Sequence, residues 1–245
     1  VREGAREILT RTKVVLTPSA REAIERNGIA VRAAGAPRSS STVQPAAAKA
    51  AKQAPRPAVS QAIRDLFRSP EAEAIKAEIV ATGKKLWTRQ YVDGNGGNIS
   101  CRLTSDWVLC TPTLMSKGDL RVEDICLVDF DGNQLAGVRR RSSEILLHLA
   151  IMKAVPAARA VIHCHPPHAT AFALAGMVPP DAMLAEHEVF IGPVALVPYE
   201  TPGTQACADA VVPLAARHNT ILMANHGLVT WADSLVHAEW FVEVM

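Results

Sequence analysis

The sequence predicts an α/β domain in which helices flank a mixed, mainly antiparallel sheet. Three observations carry that prediction. Residues 71–90 repeat apolar positions at helical spacing; residues 98–129 alternate like strands and are broken by short turns; and from about residue 143 helices and strands alternate. A chain of 245 residues, 49% of them hydrophobic, suffices for one substantial core plus extra segments.

Taken in order, residues 1–33 read as a small helical extension. Thr17-Pro18-Ser19 is a start signal before Ala20–Arg26, and Asn27-Gly28 is a stop. Residues 34–60 shift to Ala, Pro, Ser, Lys and Gln, a composition that cannot bury enough apolar surface to offset ordering, so they read as a flexible linker. The main domain is expected over 61–245. Ile75, Ile79 and Leu86 form one apolar helix face. Strands follow at Asn98–Leu103, Trp107–Cys110 and Ile125–Asp129, the last before the turn Asp131-Gly132-Asn133. Then come a helix near 143–154, a strand at 160–165, a helix at 167–175, a strand at 194–198, a helix at 203–217, a strand at 220–224 and a last helix from 233.

Composition excludes several functions. A net charge of +2 without an aromatic-interleaved basic patch argues against nucleic acid as partner. No apolar run is long enough to span a bilayer, and Val1-Arg2-Glu3-Gly4 lacks the apolar core of a secretory signal, so the cytoplasm is the expected location. Cys101, Cys110, Cys126, Cys164 and Cys207 are odd in number, contain no Cys-x-x-Cys pair and read as free thiols in a reducing compartment. The first residue is not Met, and the chain stops inside an amphipathic pattern, so the sequence is expected to be a fragment at both ends.

The chemistry concentrates at strand ends. His163-Cys164-His165-Pro166 closes the apolar run Ala160-Val161-Ile162, and residues two apart on a strand share a face. Two imidazoles so placed can close on one metal ion. The pair alone equally fits one buried and one exposed histidine, so a third ligand is needed. His226 is the candidate, because Asn225-His226-Gly227 follows the apolar strand Thr220–Ala224. His148, His168, His187, His218 and His237 lack that placement and read as surface or helix residues. Gly94-Asn95-Gly96-Gly97-Asn98 reads either as a plain glycine turn or as an anion pocket of backbone amides with the Asn98 side chain. Thr111-Pro112-Thr113 adds hydroxyls at a strand end. Ser142-Ser143-Glu144 begins a helix, where it reads as an N-cap with first-turn acid or as part of a phosphate site.

Taken together, Gly96–Ser100, Thr111–Thr113, Ser142–Glu144, His163–Pro166, Pro198-Tyr199-Glu200-Thr201-Pro202-Gly203-Thr204 and Asn225–Leu228 resemble the class II aldolase/adducin family, from about Ile75 to the end. The resemblance implies a three-layer sandwich and zinc, or another divalent ion, on His163, His165 and His226. It implies Glu144 as acid/base, a phosphate pocket lined by Asn98, Thr113, Ser142 and Ser143, and a homotetramer. The activity implied is cleavage of a ketose 1-phosphate of the fuculose or rhamnulose type to dihydroxyacetone phosphate and an aldehyde such as lactaldehyde. Methylthioribulose-phosphate dehydratase, pentulose 5-phosphate 4-epimerase and a non-catalytic adducin-like scaffold are alternatives within the same group. The epimerases carry Asp where this chain has Glu144.

Two departures stand out. Leu114 follows Thr113 where many relatives have Gly, and no tyrosine occurs near Glu188, where the family donates one from a neighbouring subunit. The N-terminal helix and linker also resemble the extensions that target enzymes to bacterial microcompartments, which implies a shell protein as partner.

Overall fold

The computed structural model describes residues 7–10, 24, 28–33 and 60–245. The chain divides into two units, Val1–Ser60 and Gln61–Met245. In the first, β1 (Glu7–Thr10) and β2 (Ala30–Ala33) pair in parallel, Glu7 opposite Ala30 and Thr10 opposite Ala33. This pair was not anticipated from the sequence. The helix expected over Ala20–Arg26 lies outside the described residues except for Ile24, which is helical, and so does the linker expected over 34–60 apart from Ser60.

The second unit begins with α1 (Gln61–Phe67) and α2 (Pro70–Thr88). Ser69 starts α2 by accepting a hydrogen bond from the Ala72 amide at 3.2 Å, and Pro70 occupies a first-turn position where its missing N–H costs nothing. There follow β3 (Asn98–Arg102), β4 (Trp107–Cys110), β5 (Cys126–Asp129), β6 (Gln134–Ala136), α3 (Ile145–Ala154), β7 (Ala160–Cys164) and α4 (Pro167–Ala175). A π-helical turn at His187–Ile191 precedes β8 (Ala195–Val197), α5 (Gln205–Ala215), β9 (Thr220–Met223), β10 (Gly227–Ala232) and α6 (Leu235–Val244).

The eight strands run in the order β6-β5-β4-β3-β7-β10-β9-β8, and only β8 and β9 pair in parallel. This is the mixed, mainly antiparallel sheet that the sequence predicts. β10 is the exception: no element is expected between the turn at Gly227 and the helix from 233, yet Leu228-Val229-Thr230-Trp231, rich in strand-favouring side chains, pairs with both β7 and β9.

Alternation along the central strands sorts side chains into two layers. Ile99 and Cys101 of β3, with Ala160, Ile162 and Cys164 of β7, pack with α2, α4 and α6. Val161 packs on the opposite face with α3 and α5. Ile99, Leu109, Leu127 and Ile162 are fully buried, each contributing about 1.5–3 kcal/mol of apolar transfer. The same period of two places Asn98, Ser100 and His163 on the face covered by α3.

Candidate active site

The site forms where β7 ends. His163 is buried and His165 half-buried, and His226 reaches the same point from the turn between β9 and β10. Asn225 makes that turn in a left-handed conformation, φ 55°, which asparagine tolerates better than most residues. The candidate ligand atoms of the three histidines all lie within 4.8 Å of one another.

Hydrogen bonds fix the tautomers. His163 Nδ1–H donates to the Leu228 carbonyl at 2.8 Å and His165 Nδ1–H donates to Asp93 Oδ1 at 3.3 Å, which turns both Nε2 lone pairs inward. His163 Nε2 then faces His165 Nε2 at 3.2 Å and Glu144 Oε2 at 3.3 Å. Three electron-rich atoms so close need a cation or a shared proton between them. Burial, reinforced by the neighbouring imidazoles His226 and His165, drives His163 well below its ordinary pKa, and burial with His165 lowers His226 to about 4. Protons are thus disfavoured at the cluster. His226 Nδ1 is buried without a hydrogen-bond partner. These features fit a divalent cation on His163, His165 and His226.

Glu144 sits at the start of α3, with its side chain turned away from the helix end and towards the histidines. Burial raises the pKa of its carboxyl group, while the Asn98 amide and Lys117 oppose the rise. Asn98 Nδ2 donates to Glu144 Oε2 at 3.4 Å. Asn98 lies directly opposite His163 in the β3–β7 register, so the sheet itself holds the two together.

The hydroxyl residues gather beside this core. The Ser142 amide donates to the Thr111 carbonyl at 3.0 Å, and the Ser142 hydroxyl accepts from the Glu144 amide at 3.2 Å. The Thr113 amide donates to the Arg140 carbonyl at 2.9 Å, so the Thr111–Thr113 and Arg140–Ser143 segments run side by side. Ser143 is half-buried at the same helix start. Leu114, in place of the usual glycine, holds the left-handed conformation that glycine would favour, φ 56°.

Three residues here were missed in the sequence. His148, set aside above as a surface or helix residue, does lie on α3, but it is buried and bonded to Asn98 and Ser100. Its i+4 spacing from Glu144 was the available signal. Lys117 is buried, and its ammonium donates to the Asn95 carbonyl at 3.2 Å and the Met115 carbonyl at 2.9 Å, tying together the two loops that carry Asn98 and Thr113. Burial lowers Lys117 to about 8, against the pull of Glu144 and Asp93. Neither Lys117 nor Asp93 belongs to a motif that would have marked it.

Comparison with known proteins identifies the family. The family described as "Class II Aldolase and Adducin N-terminal domain" matches residues 77–245. The chain is 32% identical over 169 residues to a 3-oxo-tetronate 4-phosphate decarboxylase of Haemophilus influenzae, covering 67% of this chain and 80% of that protein. It is 33% identical over 172 residues to an L-fuculose phosphate aldolase of Methanococcus maripaludis, covering 69% and 90%. The crystal structure of YgbL from Escherichia coli superposes with a TM-score of 0.67 at 31% identity, over 72% of this chain and 86% of that one.

Proposed function

Since the chain belongs to the class II aldolase and adducin family, we propose that it is a metal-dependent enzyme cleaving a carbon–carbon bond in a ketose phosphate to leave the enediolate of dihydroxyacetone phosphate. The observation that carries this reading is the convergence of His163, His165, His226 and Glu144 at one point. A non-catalytic scaffold has no need of that set.

A divalent ion on the three imidazoles, zinc in this proposal, would act as a Lewis acid towards the substrate's carbonyl and hydroxyl oxygens. The chain's own groups do the rest. The start of α3 and the hydroxyls of Thr113, Ser142 and Ser143 offer a phosphate anchor, with the buried ammonium of Lys117 adding positive charge behind the loops. Glu144 in its protonated form gives a proton to the carbanionic carbon and is reloaded from solvent, and burial raises its affinity for that proton. Asn98 Nδ2–H holds the carboxylate in place.

Retro-aldol cleavage of a fuculose or rhamnulose 1-phosphate gives this enediolate with lactaldehyde as coproduct. Decarboxylation of 3-oxo-tetronate 4-phosphate gives the same enediolate with carbon dioxide. The second reading is favoured by the Haemophilus influenzae relative and by Glu186-His187-Glu188, which holds no tyrosine. Cleavage to an aldehyde must move a proton at the aldehyde oxygen, whereas loss of carbon dioxide needs no such group. The test supplies each of the three substrates to zinc-loaded protein and measures dihydroxyacetone phosphate, then lactaldehyde or carbon dioxide. Release with lactaldehyde assigns an aldolase and release with carbon dioxide a decarboxylase; no dihydroxyacetone phosphate from any of them refutes carbon–carbon cleavage.

A homotetramer is part of the proposal. Met183, Leu184, Val189 and Phe190 are more than half exposed around the π-helical turn, an apolar surface that a second copy would cover. Light scattering on the purified protein decides it.

A further inference from the structure

His148 lies outside the metal cluster and the phosphate anchor, yet it is 1% exposed and spends both ring nitrogens on this site. Nε2 is 2.5 Å from Asn98 Oδ1, and Nδ1 is 2.8 Å from Ser100 Oγ. An amide oxygen can only accept, so Nε2 carries the proton; Nδ1 is then a lone pair, and the Ser100 hydroxyl must donate to it. Burial keeps the ring neutral, lowering its pKa to about 3 despite the Val161 carbonyl beside it, so the tautomer is fixed by partners and not by charge.

The consequence falls on Asn98. A primary amide has nearly the same shape in either of two orientations, and rotation exchanges its NH2 for its oxygen. In the orientation present, Nδ2 faces Glu144 Oε2 at 3.4 Å and keeps a second N–H for another acceptor. In the other, Oδ1 would face the Glu144 carboxylate, oxygen against oxygen. Glu144 alone does not enforce the choice at that distance. The bond from His148 does, because the Ser100 hydroxyl proton given to Nδ1 keeps the ring proton on Nε2.

We propose that His148 is a positioning residue whose Nε2–H holds the Asn98 side chain so that its NH2, and not its oxygen, faces Glu144 and the anion-binding end of the site. The relay runs Ser100 Oγ–H to His148, His148 to Asn98, Asn98 to Glu144. β3 supplies its first and third members and α3 the others, so the contact of this helix with the sheet is also the setting of the site. The proposal rests on the sugar-phosphate reading above, because it assigns the free N–H of Asn98 to a substrate oxygen.

The test is calorimetric titration of the purified zinc-loaded full chain with inorganic phosphate. It compares wild type with His148→Leu, His148→Gln, Asn98→Ala and the double variant His148→Leu/Asn98→Ala. His148→Leu should weaken phosphate about 10-fold, the loss expected for one hydrogen bond to a charged group. His148→Gln, whose amide can reach the Nε2 position, should stay within about 3-fold of wild type, because the donor to Asn98 is kept. In the Asn98→Ala background, His148→Leu should have no further effect; a purely structural role would instead give losses that multiply. If His148→Leu does not fold, His148→Asn takes its place, being too short to reach Asn98. Phosphate affinity unchanged in the donor-less variant, or losses that multiply, overturns the positioning role alone. Failure of the wild type to bind phosphate overturns the phosphate pocket and this proposal together.

Discussion

Gly227 is the first residue of β10 and lies against the metal cluster. A Cβ at this position would stand 2.6 Å from His165 Cδ2, 2.7 Å from the Cys164 carbonyl oxygen and 3.4 Å from His163 Cε1. Its φ is not positive, so Gly227→Ala is a steric perturbation and not a backbone one. Relieving the closest contact requires about 1 Å of separation. The Cys164 carbonyl belongs to the central strand and cannot yield far, so β10 must shift at Gly227 and His165 must move as well. Overpacking of this kind costs roughly 1–3 kcal/mol of stability. Displacing one imidazole and its bond to Asp93 should weaken zinc binding about 10–100-fold, as loss of an orienting partner does. Competition titration with a chromogenic chelator reads the affinity, and thermal unfolding reads the stability. Gly176→Ala is the control: its φ is 67° with nothing within 4 Å of the added Cβ, so it should cost about 1–2 kcal/mol and leave zinc binding unchanged. Wild-type zinc affinity in Gly227→Ala would refute the assignment of His165 as a ligand held by this packing.

Other consequences are equally open to measurement. Glu144→Gln keeps the shape and the Asn98 contact but cannot deliver a proton to the enediolate carbon, so kcat should fall about 10²–10⁴-fold at unchanged zinc content; a retained rate would remove Glu144 from the chemistry. Lys117 has its pKa lowered to about 8 in the fold from an ordinary 10.5, so between those values the unfolded chain binds more protons and the fold gains stability as pH rises. Wild type should therefore gain on Lys117→Met as pH is raised from about 8 to 10, at up to about 1.4 kcal/mol per pH unit, read from paired urea melts; parallel curves would show that the ammonium is not buried in solution. The tether that residues 1–60 resemble predicts that their deletion leaves turnover intact and abolishes co-sedimentation with microcompartment shell protein, and persistent co-sedimentation would reject that expectation.

The sequence made the ends of strands easy to see and the packing between layers hard. His163 and His165 were legible because a period of two and a terminal Pro166 place them together, and His226 because it follows another apolar run. Asn98 and Ser142 read locally as either turn and cap residues or parts of an anion site, and only the resemblance of whole motifs tipped the balance; the register that sets Asn98 opposite His163 joins strands some 65 residues apart and leaves no local trace. β10 was hidden because Asn225-His226-Gly227 looks like a loop whether a helix or a strand follows. Lys117 shows the limit most clearly, since nothing in Ser116-Lys117-Gly118 announces that the lysine turns inward to two backbone carbonyls.

β7 lies in the interior of the sheet, with β3 on one side and β10 on the other, so the amides of Val161–Cys164 are shielded along both edges. In deuterium labelling such amides should exchange only when the whole domain opens, and the loop around Asp93 much sooner. His163 would then be as long-lived as the fold itself, while His165, half-buried and bonded to the exposed Asp93, is the outer arm of the set. An ion at the proposed site would then enter and leave on the side of that outer arm, without any loosening of the core.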